Sequence, residues 1–328
     1  MSHEDGYGKR PPPVRRWWAR PIKSIRNSRE SIPQRALAGV GENLSVIGMG
    51  GAVVIAMPQE AVNEIVAASI ERGVNFFDVA PLYGKGEAEE KLGTALKPFR
   101  DKVFLACKTQ RRDKAGAQEE LTRSLKRLKT DYLDLYQMHQ ITDVKQDVER
   151  ALENDGAIPV MLEAKKKGLV RYLGFSSHSV EAALKAMETG VFDMFLHPVN
   201  FVCHFHGDFV QKPLEAARKA NMGLLGIKPM AYTRWPKNFQ IVDRWSPGSW
   251  YEPLRDATVA SLALRWALSQ GITSAIPPGD PRLYSHALNV KAKIKPLDEK
   301  ELETLKKIAL ETLPILPGPP DSSAEETN

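Results

Sequence analysis

Short apolar runs alternate along the chain with longer segments whose apolar residues recur every three to four positions. Short runs bounded by Gly, Pro or Asn are typical of buried strands, and the periodic segments predict helices. The predicted strands are residues 44–50, 74–80, 102–108, 132–139, 170–177, 194–200, 222–230 and 273–277. The predicted helices are residues 58–72, 87–96, 118–128, a longer stretch up to 167, 180–188, 210–220, 258–269 and 281–290.

A strand followed by a helix, repeated eight times, favours an α/β fold in which a parallel sheet closes into a (β/α)8 TIM barrel. Glycines at the helix exits, Gly73, Gly168 and Gly223, fit left-handed C-caps before the next strand. The main alternative is an open doubly wound sheet. It is disfavoured because the first strand ends in residues 48–51, Gly-Met-Gly-Gly, without a Gly-x-Gly-x-x-Gly motif.

Two additions to the barrel are predicted. Residues 35–38 and 44–47 flank a Gly-rich turn, which indicates an N-terminal β-hairpin that plugs the bottom of the barrel. Residues 297–310 indicate an extra C-terminal helix. The predicted organisation is a basic extension at 1–33, one barrel domain at 34–312 and a disordered tail at 313–328, rich in Pro, Ser and Glu from Pro314 onward.

Composition agrees with one large domain, since 328 residues with 42% hydrophobic content can bury a sizeable core. Cys107 and Cys203 are too few for a disulfide framework. They favour a reducing compartment, so we expect a cytoplasmic protein in which both are buried small hydrophobes. No uncharged apolar run approaches the roughly 20 residues that span a bilayer.

The N-terminal segment carries much of the net charge of +6. Its basic residues are Lys9, Arg10, Arg15, Arg16, Arg20, Lys23, Arg26, Arg29 and Arg35. Arg15-Arg16 followed by Trp17-Trp18 suggests an export signal, a nucleic-acid arm or a membrane-surface segment, but no apolar stretch follows for export. We predict a solvated extension, partly disordered or lying on the barrel, with no nucleic-acid or membrane partner. The oligomeric state is left open.

Polar side chains end three successive predicted strands. Asp78 closes the second strand and Tyr83 follows it in the loop, while Lys108 and His139 end the next two strands. Because the carboxyl ends of parallel strands meet at one mouth of a barrel, we expect these four side chains to converge. An acid, a phenol, an amine and an imidazole together form a proton-transfer site.

The residues around this quartet carry a family resemblance. The motifs are 73–78 (Gly-Val-Asn-Phe-Phe-Asp) with Tyr83-Gly84, 87–93 (Glu-Ala-Glu-Glu-Lys-Leu-Gly), 102–108 (Lys-Val-Phe-Leu-Ala-Cys-Lys), 124–128 (Ser-Leu-Lys-Arg-Leu) with 131–139 (Asp-Tyr-Leu-Asp-Leu-Tyr-Gln-Met-His), and 168–174 (Gly-Leu-Val-Arg-Tyr-Leu-Gly). In this order they resemble the aldo-keto reductase family across residues 34–310. The resemblance implies hydride transfer from a nicotinamide cofactor to a small-molecule carbonyl substrate, with Asp78, Tyr83, Lys108 and His139 as the catalytic tetrad.

The chemistry assigns a role to each member of the tetrad. Hydride addition builds negative charge on the carbonyl oxygen, which therefore needs a proton donor. Tyr83 is the predicted acid, and we expect the Lys108 ammonium to draw its pKa down from the ordinary value of about 10. Asp78 orients Lys108 through an ion pair. His139 donates a hydrogen bond that positions the substrate oxygen.

The cofactor contacts depart from the family's pattern. Ser177 stands where the family commonly has Asn, Leu196 where it has Gln, and Ile227 where it has a stacking Tyr. The candidate cofactor contacts are Gly50, Gly51, Ser176, Ser177, Lys228, Pro229, Met230, Ala231, Pro278, Gly279 and Arg282. Backbone groups at 230–231 are expected to meet the pyrophosphate, with Lys228 adding charge.

The end of the eighth strand bears on cofactor choice. Arg282 suits a 2′-phosphate, whereas Asp280 would repel one. We predict NADP(H), with NAD(H) as the alternative.

Aromatic residues near the mouth predict a substrate pocket. The candidates are Phe201 and Phe205 after the sixth strand, and Trp235 and Trp245 in the loop 232–251. Such walls favour an aromatic or apolar aldehyde or ketone. Arg234, Lys237 and Arg244 leave an anionic substrate open.

Two other functions compete with carbonyl reduction. His204, His206 and Asp208, with His178 or His197, would suit a metal-dependent hydrolase, although we expect no metal there. A cofactor-binding regulatory scaffold with little turnover is the second. Slow turnover with tightly held cofactor would favour the scaffold.

Overall fold

The computed structural model describes residues 18–28, 30–240, 244, 246, 248–290 and 295–316. The strands are β1 (Gln34–Leu37), β2 (Glu42–Ser45), β3 (Met49–Gly50), β4 (Phe76–Asp78), β5 (Phe104–Thr109), β6 (Leu133–Ile141), β7 (Val170–Ser177), β8 (Met194–Pro198), β9 (Gly223–Ile227), β10 (Ala231–Arg234), β11 (Tyr251–Pro253) and β12 (Ser274–Ile276). The helices are α1 (Ala19–Asn27), α2 (Gln59–Glu71), α3 (Glu87–Leu96), α4 (Lys114–Leu128), α5 (Arg150–Leu152), α6 (Ala157–Lys166), α7 (Val180–Glu188), α8 (Phe201–Phe205), α9 (Gln211–Lys219), α10 (Ala257–Ser269), α11 (Pro281–Asn289) and α12 (Glu299–Leu310).

Strands β3 to β9 and β12 form an eight-stranded parallel sheet whose order follows the chain. Its two edges meet, because Ile47 bridges Ala275 in parallel and the Ala275 amide donates to the Val46 carbonyl at 2.9 Å. The predicted barrel is confirmed. Its first strand is shorter than predicted, since residues 42–45 pair with β1 in the hairpin.

The hairpin of β1 and β2 covers the end of the barrel opposite the strands' carboxyl ends. Its Leu37 and Leu44 share one buried cluster with Phe76 and Phe104, which begin β4 and β5. A Cβ on Gly223 would lie 2.9 Å from Leu37 Cδ1, so this packing needs a residue without a side chain. The hairpin and its position as a plug are as predicted.

Two helix exits have the predicted left-handed glycine, Gly73 with φ 91° and Gly168 with φ 75°. The prediction for Gly223 is wrong, because Asn221 adopts the left-handed conformation with φ 53° and Gly223 begins β9. Asparagine tolerates this region of backbone space better than most residues with a Cβ. The helix exit therefore lies two residues earlier than predicted.

Both ends of the described chain pack on the barrel. Helix α1 buries Ile22 and Ile25, and Arg72 donates from Nε to the Glu30 carbonyl at 2.6 Å. At the other end the predicted helix is α12, with a capping box between Asp298 and Glu301. No helix among the described residues is long and apolar enough to cross a membrane.

The prediction of a disordered tail is wrong at its beginning. Ile315 and Leu316 are buried, and Arg234 donates from Nη2 to the Ile315 carbonyl at 3.2 Å. Burial of these two apolar side chains favours order despite the neighbouring prolines. Residues 317–328 lie outside the described part of the chain.

Candidate active site

A buried ion pair forms the centre of the site. Asp78 ends β4 and Lys108 lies on the neighbouring β5, and their side chains are only 2% and 1% exposed. Lys108 Nζ donates to Asp78 Oδ2 and, at 3.2 Å, to the Val79 carbonyl. Burial acts to lower the pKa of Lys108, but the attraction and hydrogen bond of Asp78, with smaller contributions from Tyr83 and Cys107, together outweigh it and the pKa is raised. Lys108 is thus a protonated ammonium held out of water.

Tyr83 begins a tight turn after β4, and the turn brings its ring beside the ion pair. Lys108 Nζ lies 5.2 Å from the ring centroid. The turn depends on left-handed backbone at Gly84, Lys85 and Gly86, with φ 61°, 56° and 99°. Burial raises the pKa of Tyr83, and the opposing effect of Lys108 is smaller. The predicted net lowering is therefore wrong, although Lys108 acts with the predicted sign.

His139 completes the quartet from β6. Its ring meets the Tyr83 ring edge-on, with the centroids 6.0 Å apart and the planes at 87°. Burial, followed by the charges of Lys108, Lys228 and Arg112, lowers the pKa of His139 well below the ordinary value. Its Nδ1 is buried without a hydrogen-bond partner among the described residues. The imidazole is neutral, and the structure brings all four predicted side chains together.

Gln137 is a site residue that the sequence analysis missed. Its Nε2 donates to Asp78 Oδ1 at 3.0 Å, and it lies opposite Lys108 in the register of β5 and β6. Side chains two positions apart on a strand share a face, so Gln137 follows from His139 by strand periodicity alone. With Gln137 on one carboxylate oxygen and Lys108 on the other, Asp78 is held at both.

Two cavities form one trough across the mouth of the barrel. The first, of about 380 Å³, is lined by Gly50, Ala52, Ile55, Asp78, Leu82, Tyr83, Gly84, Ile227, Lys228, Arg244, Gly248, Ser249, Trp250, Tyr251, Ile276, Pro277 and Gly279. The second, of about 430 Å³, is lined by Ala52, Val53, Ile55, Ala56, Gly248, Gly279, Asp280, Pro281 and Arg282. Their shared residues, which include Ala52 and Gly279, join the Tyr83 end to the Arg282 end.

Some of the predicted cofactor contacts line this trough and others are buried beside it. Gly50, Gly279, Lys228 and Arg282 line it, and Ile227 does so at the position where the family has an aromatic ring. Gly51 and Pro278 are buried. A Cβ on Gly279 would lie 2.5 Å from Ala52 Cβ, so the floor of the trough requires glycine there.

The serine hydroxyls already have partners within the chain. Ser176 Oγ accepts from the Gln140 amide at 2.8 Å. Ser177 Oγ donates toward the Ile141 and Ser179 carbonyls at 2.9 and 2.7 Å. Ser177 thus stabilises the turn before α7.

Residues 228–231 form a fixed turn. Asn200 Nδ2 donates to the carbonyls of Lys228 and Ala231 at 3.2 and 2.7 Å, and the Ala231 amide donates to the Lys228 carbonyl at 3.2 Å. Pro229, Met230 and Ala231 are buried. The Ala231 backbone is therefore bonded internally, and the side chain of Lys228 is what this turn presents to the mouth.

At the far end of the trough an acid and a base pair with each other. Arg282 donates from Nε to Asp280 Oδ1 at 2.9 Å and from Nη2 to Asp280 Oδ2 at 2.5 Å. Asp280 also caps α11 by accepting from the Arg282 amide at 2.8 Å. The two residues that were predicted to oppose each other in cofactor choice are thus directly bonded.

The predicted substrate pocket needs correction. Phe201 is fully buried in the core, and Phe205 packs against it. Trp235 donates from Nε1 to the Ser249 carbonyl at 2.9 Å and anchors the loop. Among the described residues, the aromatic side chains that line the mouth besides Tyr83 are instead Trp250 and Tyr251. Trp245 lies outside the described residues.

The histidines of the metal hypothesis contact other groups. His197 Nε2 lies 2.8 Å from the Phe209 carbonyl, and His206 Nε2 lies 2.9 Å from the Ala309 carbonyl. Within the described ranges no three His, Cys, Asp or Glu side chains are grouped to hold a metal. These two rings anchor neighbouring segments of backbone.

Two proteins of Bacillus subtilis are similar to this chain in sequence. The chain is 34% identical over 163 residues to the aldo-keto reductase YhdN of Bacillus subtilis. This alignment covers 44% of this chain and 47% of that protein. The chain is 24% identical over 307 residues to the uncharacterized oxidoreductase YqkF of Bacillus subtilis. This second alignment covers 83% of this chain and 95% of that protein.

The fold is also that of a solved aldo-keto reductase. The holo form of AKR11C1 from Bacillus halodurans aligns with a TM-score of 0.64 at 20% identity, covering 84% of this chain and 96% of that one. The family model described as the Aldo/keto reductase family matches residues 46–310. This chain therefore belongs to the aldo/keto reductase family of oxidoreductases.

Proposed function

We propose that the protein reduces an aldehyde or ketone to an alcohol with NADPH, or alternatively NADH. The observation that carries this proposal is the continuous trough between Tyr83 and Arg282. An elongated dinucleotide would lie along it with the nicotinamide end beside the acid–base quartet, in which Tyr83 is only partly buried. When bound, the cofactor supplies a hydride to the carbonyl carbon.

The lining of the trough fits such a cofactor. Gly50 and Gly279 leave the floor free of side chains, and Ile227 offers an apolar face to a flat ring. The residues proposed to hold the cofactor are Gly50, Ile227, Gly279 and Arg282, which line the trough, and the buried Gly51 and Pro278 next to them in the chain. The closed turn at 228–231 and the bonded hydroxyls of Ser176 and Ser177 give less support to a cofactor contact.

Tyr83 is the proposed general acid. Burial raises the pKa of its phenol, so the hydroxyl carries the proton that the developing alkoxide needs. As the proton leaves, the Lys108 ammonium stabilises the negative charge on the phenolate oxygen. Asp78 and Gln137 keep Lys108 in place for this step.

His139 is the proposed donor to the substrate oxygen. A neutral imidazole has one N–H, and the buried Nδ1 without a partner costs least as the unprotonated nitrogen. The N–H then resides on Nε2 and donates a hydrogen bond without adding a charge.

The proposed substrate is a small apolar or aromatic carbonyl compound. Leu82, Ile55, Trp250 and Tyr251 give the mouth apolar walls. Arg244 also lines the mouth, so a substrate with a distant anionic group is the alternative.

Binding and turnover test the proposal in two steps. Trp250 lies at the mouth, so NADPH or NADH should quench tryptophan fluorescence on titration. Aromatic aldehydes, aliphatic aldehydes, ketones and sugars would then be screened for oxidation of the bound cofactor. Binding with aldehyde-dependent oxidation supports reduction. Binding of neither cofactor contradicts it.

A further inference from the structure

Lys228 is a second lysine at the mouth, and its surroundings differ from those of Lys108. It follows β9 with a left-handed backbone, φ 60°, and is only 8% exposed. Its Nζ lies 2.9 Å from His178 Nε2 and 5.7 Å from the Trp250 ring centroid. Asp78 is bonded to Lys108, and no carboxylate in the described ranges forms an ion pair with Lys228.

The backbone of Lys228 is held rigidly for a non-glycine residue in this conformation. Asn200 fixes the Lys228 carbonyl and caps α8 by accepting from the Cys203 amide at 3.1 Å. Such left-handed backbone is costly and persists where the surroundings enforce it, which is common at functional sites. The amine is thereby directed into the cavity that Tyr83 also lines.

From this geometry we infer that Lys228 is a nucleophilic amine that captures aldehydes or ketones in the mouth as a Schiff base. The function goes beyond hydride transfer, because it needs no nicotinamide. Amines buried in apolar sites beside another cation are the lysines that react with carbonyl groups in enzymes. The ligand class is a small carbonyl compound without a bulky group next to the carbonyl.

The reaction balances with groups at the site. The Nζ lone pair forms a bond to the carbonyl carbon, the carbon–oxygen π bond breaks, and the oxygen takes a proton from the Tyr83 hydroxyl. His178 Nε2 accepts a proton from Nζ. His178 returns its proton to the carbinolamine hydroxyl, which leaves as water while the nitrogen lone pair forms the C=N bond. The resulting iminium N–H gives its proton to the Tyr83 phenolate, which restores the hydroxyl. No electrons are gained or lost by the protein.

Burial of Lys228 favours the free amine. It lowers the pKa of Lys228 to about 7; the charge of Lys108 acts in the same direction, and Cys203 and Asp78 act against it. The groups that face it are Asp78, Lys108, His139, His178, His197 and Cys203. Burial and Lys228 itself lower the pKa of His178 well below its ordinary value, so His178 is the neutral proton acceptor.

Reductive trapping tests the inference. The nicotinamide-free protein would be treated with benzaldehyde and cyanoborohydride at about pH 7, where ordinary lysines with pKa about 10.4 are protonated. Peptide mapping should find the benzyl group on Lys228 at a rate more than about 10-fold above that on exposed lysines. The labelling rate should fall as the pH drops below about 7.

Two variants complete the test. Lys228→Arg keeps a cation and removes the nucleophile, so the rapid benzyl labelling at residue 228 should disappear. Lys85→Arg removes an exposed lysine near Tyr83 and should leave the labelling of Lys228 unchanged. Labelling of wild-type Lys228 no faster than Lys85 or Lys300 overturns the inference, whether or not the variants fold. Normal aldehyde reduction alongside that result would leave the proposed function intact.

Discussion

Gln137 donates a 3.0 Å hydrogen bond from Nε2 to Oδ1 of Asp78, the carboxylate oxygen that Lys108 does not contact. Both residues are buried, so the bond is made without competition from water. It fixes the plane of the carboxylate and, through it, the position of the ammonium beside Tyr83. Gln137 is therefore a positioning residue.

Replacing Gln137 with Leu should slow turnover about 10-fold. Without the amide, Asp78 interacts more strongly with Lys108, and Lys108 stabilises the Tyr83 phenolate less. The alkaline limb of the kcat profile should move to higher pH, which a purely structural defect would not cause. Gln137→Met serves as a second apolar variant. Unchanged pH limbs in both variants would refute a positioning role.

Asp280→Asn should favour the phosphorylated cofactor. Asparagine still caps α11, but it releases the Arg282 guanidinium from its carboxylate partner. We expect the ratio of NADPH to NADH affinity to rise on the order of 10-fold, measured by fluorescence titration. The double variant with Arg282→Met should lose the gain. An unchanged ratio in Asp280→Asn would show that Arg282 does not contact the 2′-phosphate.

Lys228→Met should stabilise the fold at neutral and acidic pH. The pKa of Lys228 is lowered from 10.5 to about 7 in the folded protein. Between these pH values the unfolded chain binds one proton more than the folded chain, so the free energy of unfolding of the wild type rises with pH. Below about pH 7 the wild type bears the full free-energy cost of burying the Lys228 ammonium, at most on the order of 5 kcal/mol. Urea unfolding at several pH values should show a gain that shrinks toward pH 10.5. A gain independent of pH would contradict the lowered pKa.

His197 should contribute to acid sensitivity. It is buried, its ring stacks on Phe195 and Phe209, and burial lowers its pKa from 6.5 to about 4. As the pH falls through this window the unfolded chain takes up a proton first, so stability is lost. His197→Phe keeps the stacking and should flatten the curve of unfolding free energy between those pH values. Parallel curves of unfolding free energy against pH for the wild type and His197→Phe would contradict this role of His197.

Much of the fold follows from periodicity. Eight apolar runs and their intervening helices predict the barrel, and residues at the ends of three strands predict the quartet, because a closed parallel sheet leaves one place for them to meet. The hairpin plug follows from its Gly-rich turn. These features can be predicted because they follow from local sequence patterns that the folded chain keeps.

Other features depend on contacts between distant residues. Phe201 and Trp250 are both large aromatic residues, and only packing decides that the first enters the core and the second the mouth. The net pKa of Tyr83 depends on how far burial exceeds the effect of Lys108. The left-handed backbone of Lys228 depends on Asn200, and no local propensity indicates it.

In the proposed reaction, hydride reaches a carbonyl carbon while Tyr83 protonates the oxygen. Single-turnover reaction of an aromatic aldehyde with a cofactor deuterated at the transferable ring position would measure deuterium in the alcohol by mass spectrometry. The wild type should transfer it, and Tyr83→Phe should bind the cofactor but lose transfer by at least about 100-fold. Full transfer by Tyr83→Phe, or none by the wild type with bound cofactor, would contradict the account.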